Sequence, residues 1–291
     1  MIISRLNGGL GNQLFQYACG RAFSLASGAE LVLDLSALES TSRRVTRRHY
    51  ELSAYAIHAR PATRAEALKC RRAMRWGRPG AWMTRLDVLT ESPALYPNLL
   101  RETRGDTLLA GFWQSETCFA RYATEISQDL VPLRALSSQS QKLGEAVASR
   151  PSAAIHVRRG DYVNLPSAAR FHGTLPMAYY QEAARRIEDR HGPPLWVVFS
   201  DDIAWCRGAL NFLHGEIVFV DHNQGLDAWQ DLQLMSLCRH HIIANSSFSW
   251  WGAWLSERRG RAEQMICAPS AWFVHDDPYA QYRIPKRWTR V

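Results

Sequence analysis

Apolar and polar positions follow recognisable periods over the first 34 residues. An apolar run at 2–6 predicts a strand, 7–12 a glycine-rich turn, the helical period of 13–27 a helix, and 30–34 a second strand. This order predicts the opening of a Rossmann-like unit. From 36 to 128 the period fades, and the Arg, Pro and Gly content there predicts short helices and long connections. The polar run Ser137-Ser138-Gln139-Ser140-Gln141, followed by helical character over 142–149, marks the approach to a second domain. Beyond it the alternation is regular. Strands are expected over 153–157, 195–200, 216–220, 241–244 and 264–267, with helices over 177–189, 203–213, 228–239 and 247–257. Strand and helix alternating in this way implies parallel sheets covered on both faces, hence an α/β class with two Rossmann-like domains, 1–148 and 149–291, facing across a cleft.

In doubly wound sheets ligands sit at the carboxyl ends of the strands. The first such end in the second half reads His156-Val157-Arg158-Arg159-Gly160-Asp161-Tyr162. An arginine fork holds two phosphate oxygens at once and keeps its charge, so a pair of arginines here suits a pyrophosphate. The plainer alternative is that Arg158 and Asp161 pair with each other and pin a turn. The next end is Ser200-Asp201-Asp202. Asp201 suits the cap of the following helix, which leaves Asp202 to accept from the N1–H and N2–H₂ of a guanine. The third end is Asn245-Ser246-Ser247-Phe248-Ser249, directly before Trp250, Trp251 and Trp254. Those three indoles share one broad face of a helix, while the small polar residues at its start offer hydroxyls and backbone N–H groups to an anion. Together the three ends describe a nucleotide pocket.

The amino-terminal Gly8-Gly9-Leu10-Gly11-Asn12-Gln13 has a rival reading as a dinucleotide loop with Asp34 as the ribose acid. Its third glycine position is Leu14, and no other cofactor signature follows. Glycines that let the loop approach a ligand closely, with Asn12 and Gln13 as neutral donors and acceptors, fit better.

Composition narrows the picture further. With 291 residues, 46% of them hydrophobic, the chain has the material for two packed cores. No stretch is apolar and long enough to span a bilayer, and the start reads as a strand rather than a secretion signal, so a cytoplasmic location is expected. The six cysteines have no metal-like spacing and are expected to be reduced and buried. The formal charge is +8, and the basic residues are 32 Arg against 3 Lys. Two clusters stand out: Arg43, Arg44, Arg47 and Arg48, then Arg71, Arg72, Arg75 and Arg78. They read as solvated surface or as a surface for lipid headgroups or a phosphorylated substrate; nucleic acid is not expected, since neither carries a recognised binding motif. No Asp-x-Asp occurs, so arginine charge rather than a metal is expected at a leaving phosphate.

Four segments in order resemble the bacterial α-1,2-fucosyltransferases of glycosyltransferase family 11: Gly8-Gly9-Leu10-Gly11-Asn12-Gln13-Leu14-Phe15-Gln16-Tyr17-Ala18, the His156 to Tyr162 run, Ser200-Asp201-Asp202, and 245–255. The resemblance spans essentially the whole chain, and the His-x-Arg-Arg segment is also similar to that of α-1,6- and protein O-fucosyltransferases. It implies a GT-B-like fold with an acceptor-side first domain, a GDP-fucose-side second domain, and an inverting, metal-independent transfer in which GDP-fucose is a co-substrate and no cofactor takes part. By the same resemblance Arg158 would neutralise the departing β-phosphate, Arg159 would support it or the loop, and His156 and Asp202 would contact guanine. Ser246, Ser247 and Phe248 would lie against the pyrophosphate, with Ser200, Asp201 and Asn245 completing the donor side. Asn12 would face the fucose or the acceptor, beside Gly9, Gly11 and Gln13. Asp161 is the nearest base in sequence, and an Asp161 bonded to Arg158 or Arg159 is an equal alternative.

The implied acceptor is a terminal β-galactoside of a lipid-linked O-antigen or similar glycan, modified at its 2-hydroxyl. The basic clusters suit peripheral contact with the inner membrane. Rival expectations are transfer of another GDP-sugar or to another position, and a catalytically silent sugar-nucleotide-binding module, which the intact arginines and Asn12 disfavour.

Overall fold

The computed structural model describes residues 1–38, 48–101, 105–160 and 173–291, the side chains of Arg78 and Arg101 excepted. Asp161, Tyr162, Phe171, His172 and three arginines of the first basic cluster, Arg43, Arg44 and Arg47, lie outside the described residues. The chain divides into two compact units, Met1–Leu133 and Arg134–Val291.

The first unit runs β1 (Ile2–Arg5), α1 (Leu10–Ser27), β2 (Leu31–Asp34), β3 (Arg60–Pro61), α2 (Arg64–Thr84), β4 (Asp87–Thr90), β5 (Thr107–Ala110) and α3 (Ala123–Asp129). Its sheet has the order β3-β2-β1-β5-β4 and is parallel throughout. Ile2 stands opposite Leu31 on one side and Thr107 on the other. One face is sealed by α2, whose Cys70 and Ala73 are buried with Ile3, Val32 and Leu108. α1 begins three residues ahead of expectation because only Gly8 needs a left-handed backbone, with φ +83°. Gly9 is extended, and Gly28 closes the helix in the left-handed conformation that its missing Cβ permits. The length of α2 also departs from expectation. Thr63 and Glu66 form a reciprocal cap at its start, and the helix continues past a non-helical Gly77 and Pro79 that interrupt its sequence period.

The second unit runs α4 (Ser138–Ser149), β6 (Ser152–Val157), α5 (Met177–His191), β7 (Leu195–Ser200), α6 (Ile203–Ala209), β8 (Ile217–Val220), α7 (Ala228–Leu237), β9 (His240–Ile242), α8 (Ser247–Glu257), β10 (Ile266–Ala268), α9 (Ala280–Arg283) and β11 (Thr289–Arg290). The sheet order is β11-β10-β9-β6-β7-β8, again parallel. Ile155, Val157 and Val198 pack under Tyr180, Ala183 and Ile187 of α5. On the opposite face Ala154, Val197 and Phe199 pack under Val147 of α4 and Leu234 and Met235 of α7. A strand buried on both sides must be apolar at every position, which is why 195–199 reads as an unbroken apolar run. The same packing draws α4 into the second unit, so the division falls after Leu133, ahead of the expected break at 148.

α8 occupies the expected residues. Trp250, Trp251 and Trp254 are all buried, with ring centroids 5.1–6.3 Å apart. The Trp250 indole N–H donates to the Arg283 carbonyl at 2.8 Å, so this side of the helix is fixed by one directional bond as well as by apolar area. All six cysteines are free and buried, as their spacing predicts.

Candidate active site

The second sheet reverses its winding between β6 and β9. From β6 the chain steps outward to β7 and β8, then crosses back to β9 and continues to β10 and β11 on the other side. Loops leaving β6 and β9 therefore diverge at their carboxyl ends, and a crevice opens where an open α/β sheet places its ligand. The residues there are Arg158, Arg159 and Gly160 after β6, and 243–246 leading into α8. The His156 and Phe248 rings approach to 5.9 Å, which joins the two sides directly.

Asp201 fixes Arg158. Its guanidinium is 2.9 Å from Asp201 Oδ2, and the other oxygen of that carboxylate accepts from the Arg159 backbone N–H at 2.8 Å. Gly160 is needed beside it, since a Cβ at that position would stand 2.7 Å from Asp201 Oδ2. Arg159 turns away and lies over the Trp205 ring at 3.8 Å, with its Nε 3.3 Å from Asp202 Oδ2. A stacked and paired guanidinium gives up little further entropy and holds the loop.

The helix cap falls to the other carboxylate of the pair than expected. Asp202, not Asp201, is the cap of α6, accepting from the Trp205 N–H at 3.1 Å. Its own N–H donates to Ser200 Oγ at 2.9 Å, a local turn that sets the Asp202 side chain over the helix start. Asp201 is thereby left to face Arg158. Asp202 is thus tied to the helix start and to Arg159.

His156 is almost fully buried, and its Nδ1 has no hydrogen-bond partner among the described residues. Burial first, and then the neighbouring Arg158, push its pKa down to about 4, against an opposing pull from Asp201. The ring is therefore neutral near pH 7, with one nitrogen able to accept or donate to a ligand. Asn245 donates to the carbonyls of Gly173 and Trp272 at 3.3 and 3.2 Å, which anchors the entry to α8. Ser246 caps α8 by accepting from the Phe248 N–H, and Ser249 Oγ donates to the Ser246 carbonyl. Ser247 and Phe248 form the half-buried first turn. Helix N–H groups at this turn carry partial positive charge, so the turn suits an anion.

The first unit carries its own switch point, between β1 and β5. Gly8 must be glycine twice over, because its φ is positive and a Cβ would lie 2.4 Å from Asn12 Nδ2. Gly11 and Asn12 sit in the first turn of α1, and Asn12 Oδ1 accepts from Gln114 Nε2 at 2.7 Å. Gln13 is fully buried. Its amide nitrogen donates to the carbonyls of Gly8 and His49, and its oxygen accepts from the Glu51 N–H, so it shapes the loop from inside and presents nothing to a ligand. Within this unit a cavity of about 600 Å³ is lined by Arg5, Asn7, Gln16, Thr90 and Phe112, among others.

The model of glycosyltransferase family 11 matches residues 106–286. An alpha-1,2-colitosyltransferase of Escherichia coli is 30% identical over 298 residues, covering 100% of this chain and 99% of the relative. The O-antigen biosynthesis glycosyltransferase WbnK of the same organism is 32% identical over 293 residues, covering 93% and 94%. The chain belongs to glycosyltransferase family 11. The fold agrees: fucosyltransferase NodZ from Bradyrhizobium superposes with a TM-score of 0.51 at 16% identity, covering 86% of this chain and 91% of that one. This family 11 transferase thus has two parallel α/β units of the GT-B-like kind.

Two carboxyl groups of the transferase escaped the sequence reading. Asp231, in the first turn of α7, follows β8, the one strand end of the 6-7-8 side that was passed over. Its Oδ1 accepts from Asn223 Nδ2 at 2.7 Å, and Asn223 in turn meets Ser140 Oγ at 3.2 Å. Burial pushes Asp231 up to about 7, with the Asn223 bond opposing. Glu51 stands beside the glycine loop of the first unit, and burial raises its pKa against Arg48 and the Leu10 N–H. No residue spacing betrays Glu51, because the loop that carries it joins α1 only in the fold. No helix of the transferase is long and apolar enough to cross a membrane, and no three His, Cys, Asp or Glu side chains converge as a metal site, both among the described residues.

Proposed function

We propose that this protein transfers L-fucose from GDP-β-L-fucose, with inversion, to the 2-hydroxyl of a terminal β-galactoside in a bacterial surface glycan. The observation that carries the reading is Arg158 held by Asp201 at the winding reversal of the second sheet. In the transfer the bond from fucose C1 to the β-phosphate oxygen breaks, and a bond from C1 to the galactose O2 forms on the opposite face. Negative charge grows on the leaving GDP, and a guanidinium already aimed by Asp201 stabilises it without reorganising. The first turn of α8 adds backbone N–H groups to the same anion.

His156 and Asp231 are the groups that read the base in this proposal. An ionised carboxylate accepts both N–H groups of guanine, and Asp202 is already committed to the α6 cap. The first unit supplies the acceptor side through Asn12, Gly9 and the loop that Gln13 supports. The acceptor proton leaves late in a dissociative transition state and passes to solvent water.

A second reading has one specific support: a relative aligned over the whole chain is named an alpha-1,2-colitosyltransferase. Transfer of a different sugar from the same nucleotide leaves every contact above intact, since none of them touches the sugar. Incubation with GDP-fucose or GDP-colitose, a panel of β-galactosides and excess EDTA, followed by NMR linkage assignment, decides the matter. An α-1,2-fucosylated product made at full rate in EDTA supports the proposal. Colitosyl product alone moves the donor to the second reading, and loss of turnover in EDTA removes the metal-independent mechanism.

A further inference from the structure

Between Glu66 and Asp87 the sequence holds six basic residues, Lys69, Arg71, Arg72, Arg75, Arg78 and Arg85, and no acidic one. A segment of twenty residues, 67–86, thus carries +6 of a chain total of +8. The fold makes most of this stretch the helix α2, which rests on the sheet through Cys70 and Ala73 and turns its other side outward. Arg71, Arg72, Arg75 and Arg85 are exposed. None of the four forms an ion pair with a described residue, whereas Arg60 at the foot of the helix is held by Glu30 and Glu66.

The same outward side is apolar to a degree that charge alone does not explain. Trp82 is 81% exposed, Met83 63%, Trp76 47% and Leu68 41%. These are four of the ten large hydrophobic residues that are exposed among the described residues, and all lie on one helix; a fifth, Met74, turns toward Arg5. Leu68, Arg72, Arg75 and Trp76 follow the spacing i, i+4, i+7 and i+8 and so share a face. Beyond Gly77, whose backbone leaves the helical region, Trp82 and Met83 project from the last turn. Arginine interleaved with tryptophan and long apolar side chains is the composition of helices that lie in a membrane interface, where indoles sit at headgroup depth and guanidinium groups meet lipid phosphates.

We propose that the outer face of α2 docks this protein on an anionic phospholipid surface. Trp82 and Met83 enter the acyl boundary, Trp76 lies at the headgroups, and Arg71, Arg72 and Arg75 pair with phosphates. The occupant is a lipid surface because the face joins an uncompensated positive charge to apolar groups that reach outward singly and form no groove for a folded partner. This inference is independent of which sugar the enzyme transfers or to what.

The test is flotation of the full chain with vesicles of phosphatidylcholine alone or mixed with phosphatidylglycerol, at low and high salt. Binding to the mixed vesicles at low salt is expected, with partial release near 0.5 M salt, where screening shortens the reach of the charges. Replacing Arg71, Arg72 and Arg75 together by Gln is expected to weaken partition about a hundredfold, each cation near the surface counting for roughly a factor of five. The double change Trp82→Ser and Met83→Ser is expected to weaken binding at both salt concentrations. Both variants change exposed side chains, so an unaltered Tm and unaltered turnover of a short soluble acceptor identify folded protein. Absence of the wild-type chain from anionic vesicles, equal binding to neutral ones, undiminished binding by the folded variants, or tighter binding to a single-stranded RNA than to the mixed vesicles would overturn the proposal.

Discussion

Arg158 and Asp201 stand 2.9 Å apart, joined across the ends of the neighbouring strands β6 and β7. The pair has a directional purpose. Asp201 also accepts the Arg159 N–H, so the guanidinium is aimed by a carboxylate that is itself fixed to the loop. Arg158→Ala is expected to lower kcat by about 10²- to 10³-fold with little change in Tm, as for loss of a charge stabiliser in the transition state. Steady-state kinetics with varied donor checks this, and near-normal turnover of a folded variant would take Arg158 out of the mechanism.

Gly160→Ala places a methyl group in the space that Asp201 fills. The expected result is a fall in kcat through misaimed Arg158, with a smaller loss in the Arg158→Ala background than in the wild type. A double-mutant cycle on kcat measures the coupling. Full additivity would mean that the glycine serves something other than this pair.

Burial brings the Asp231 carboxyl into the neutral range. With its carboxyl pushed up to about 7, ionisation grows as pH rises from 6 to 8. If the ionised form accepts the base, GDP affinity rises over that interval. Asp231→Asn is expected to cost roughly 10- to 100-fold in affinity and to flatten the pH dependence, in line with a hydrogen bond to a charged group. Calorimetric titration of GDP at several pH values reads both effects.

Acid should unfold the second unit early. Burial first holds His156 and His240 down to about 4 and His241 down to about 3, against an ordinary value of 6.5. The unfolded chain therefore binds protons that the folded chain does not between pH 6.5 and those lower values. Stability from these groups is fully present above 6.5 and falls as pH drops through that window, by about 1.4 kcal/mol per pH unit for each proton taken up on unfolding. Urea midpoints at pH 7.5, 6 and 5 give the slope, and a flat profile would show that these rings charge freely in the fold.

How much of this was legible in sequence depended on whether one local signal decided the outcome. The helix Ser247–Glu257 and the strand Leu195–Ser200 match their expected limits because a serine cap and an unbroken apolar run are sufficient. Asp201 and Asp202 both read as site residues, yet the cap falls to Asp202 and Asp201 turns to Arg158. Which of two adjacent carboxylates reaches the Trp205 N–H is set by the Ser200 turn, a matter of dihedral angles rather than of residue type. α2 was missed because Gly77 and Pro79 interrupt its period and its outer face mixes arginine with tryptophan. Gln13 looked like a ligand donor, and only the loop at 48–51 folding over it reveals its internal bonds.

The indoles of α8 add a property of another kind. Trp250 and Trp254 lie nearly parallel at 6.3 Å, Trp251 stands edge-on to both, and Trp288 comes within 5.3 Å of Trp250. The strong far-ultraviolet transition dipoles of indoles couple at such separations, so an exciton couplet is expected in the circular dichroism of that band rather than the sum of isolated bands. The turn formed by Ser247 and Phe248 opens the same helix, directly before Trp250 and Trp251. An unlabelled optical gauge thus stands next to the candidate donor site, and a tilt of the helix when a nucleotide arrives is expected to change its signal.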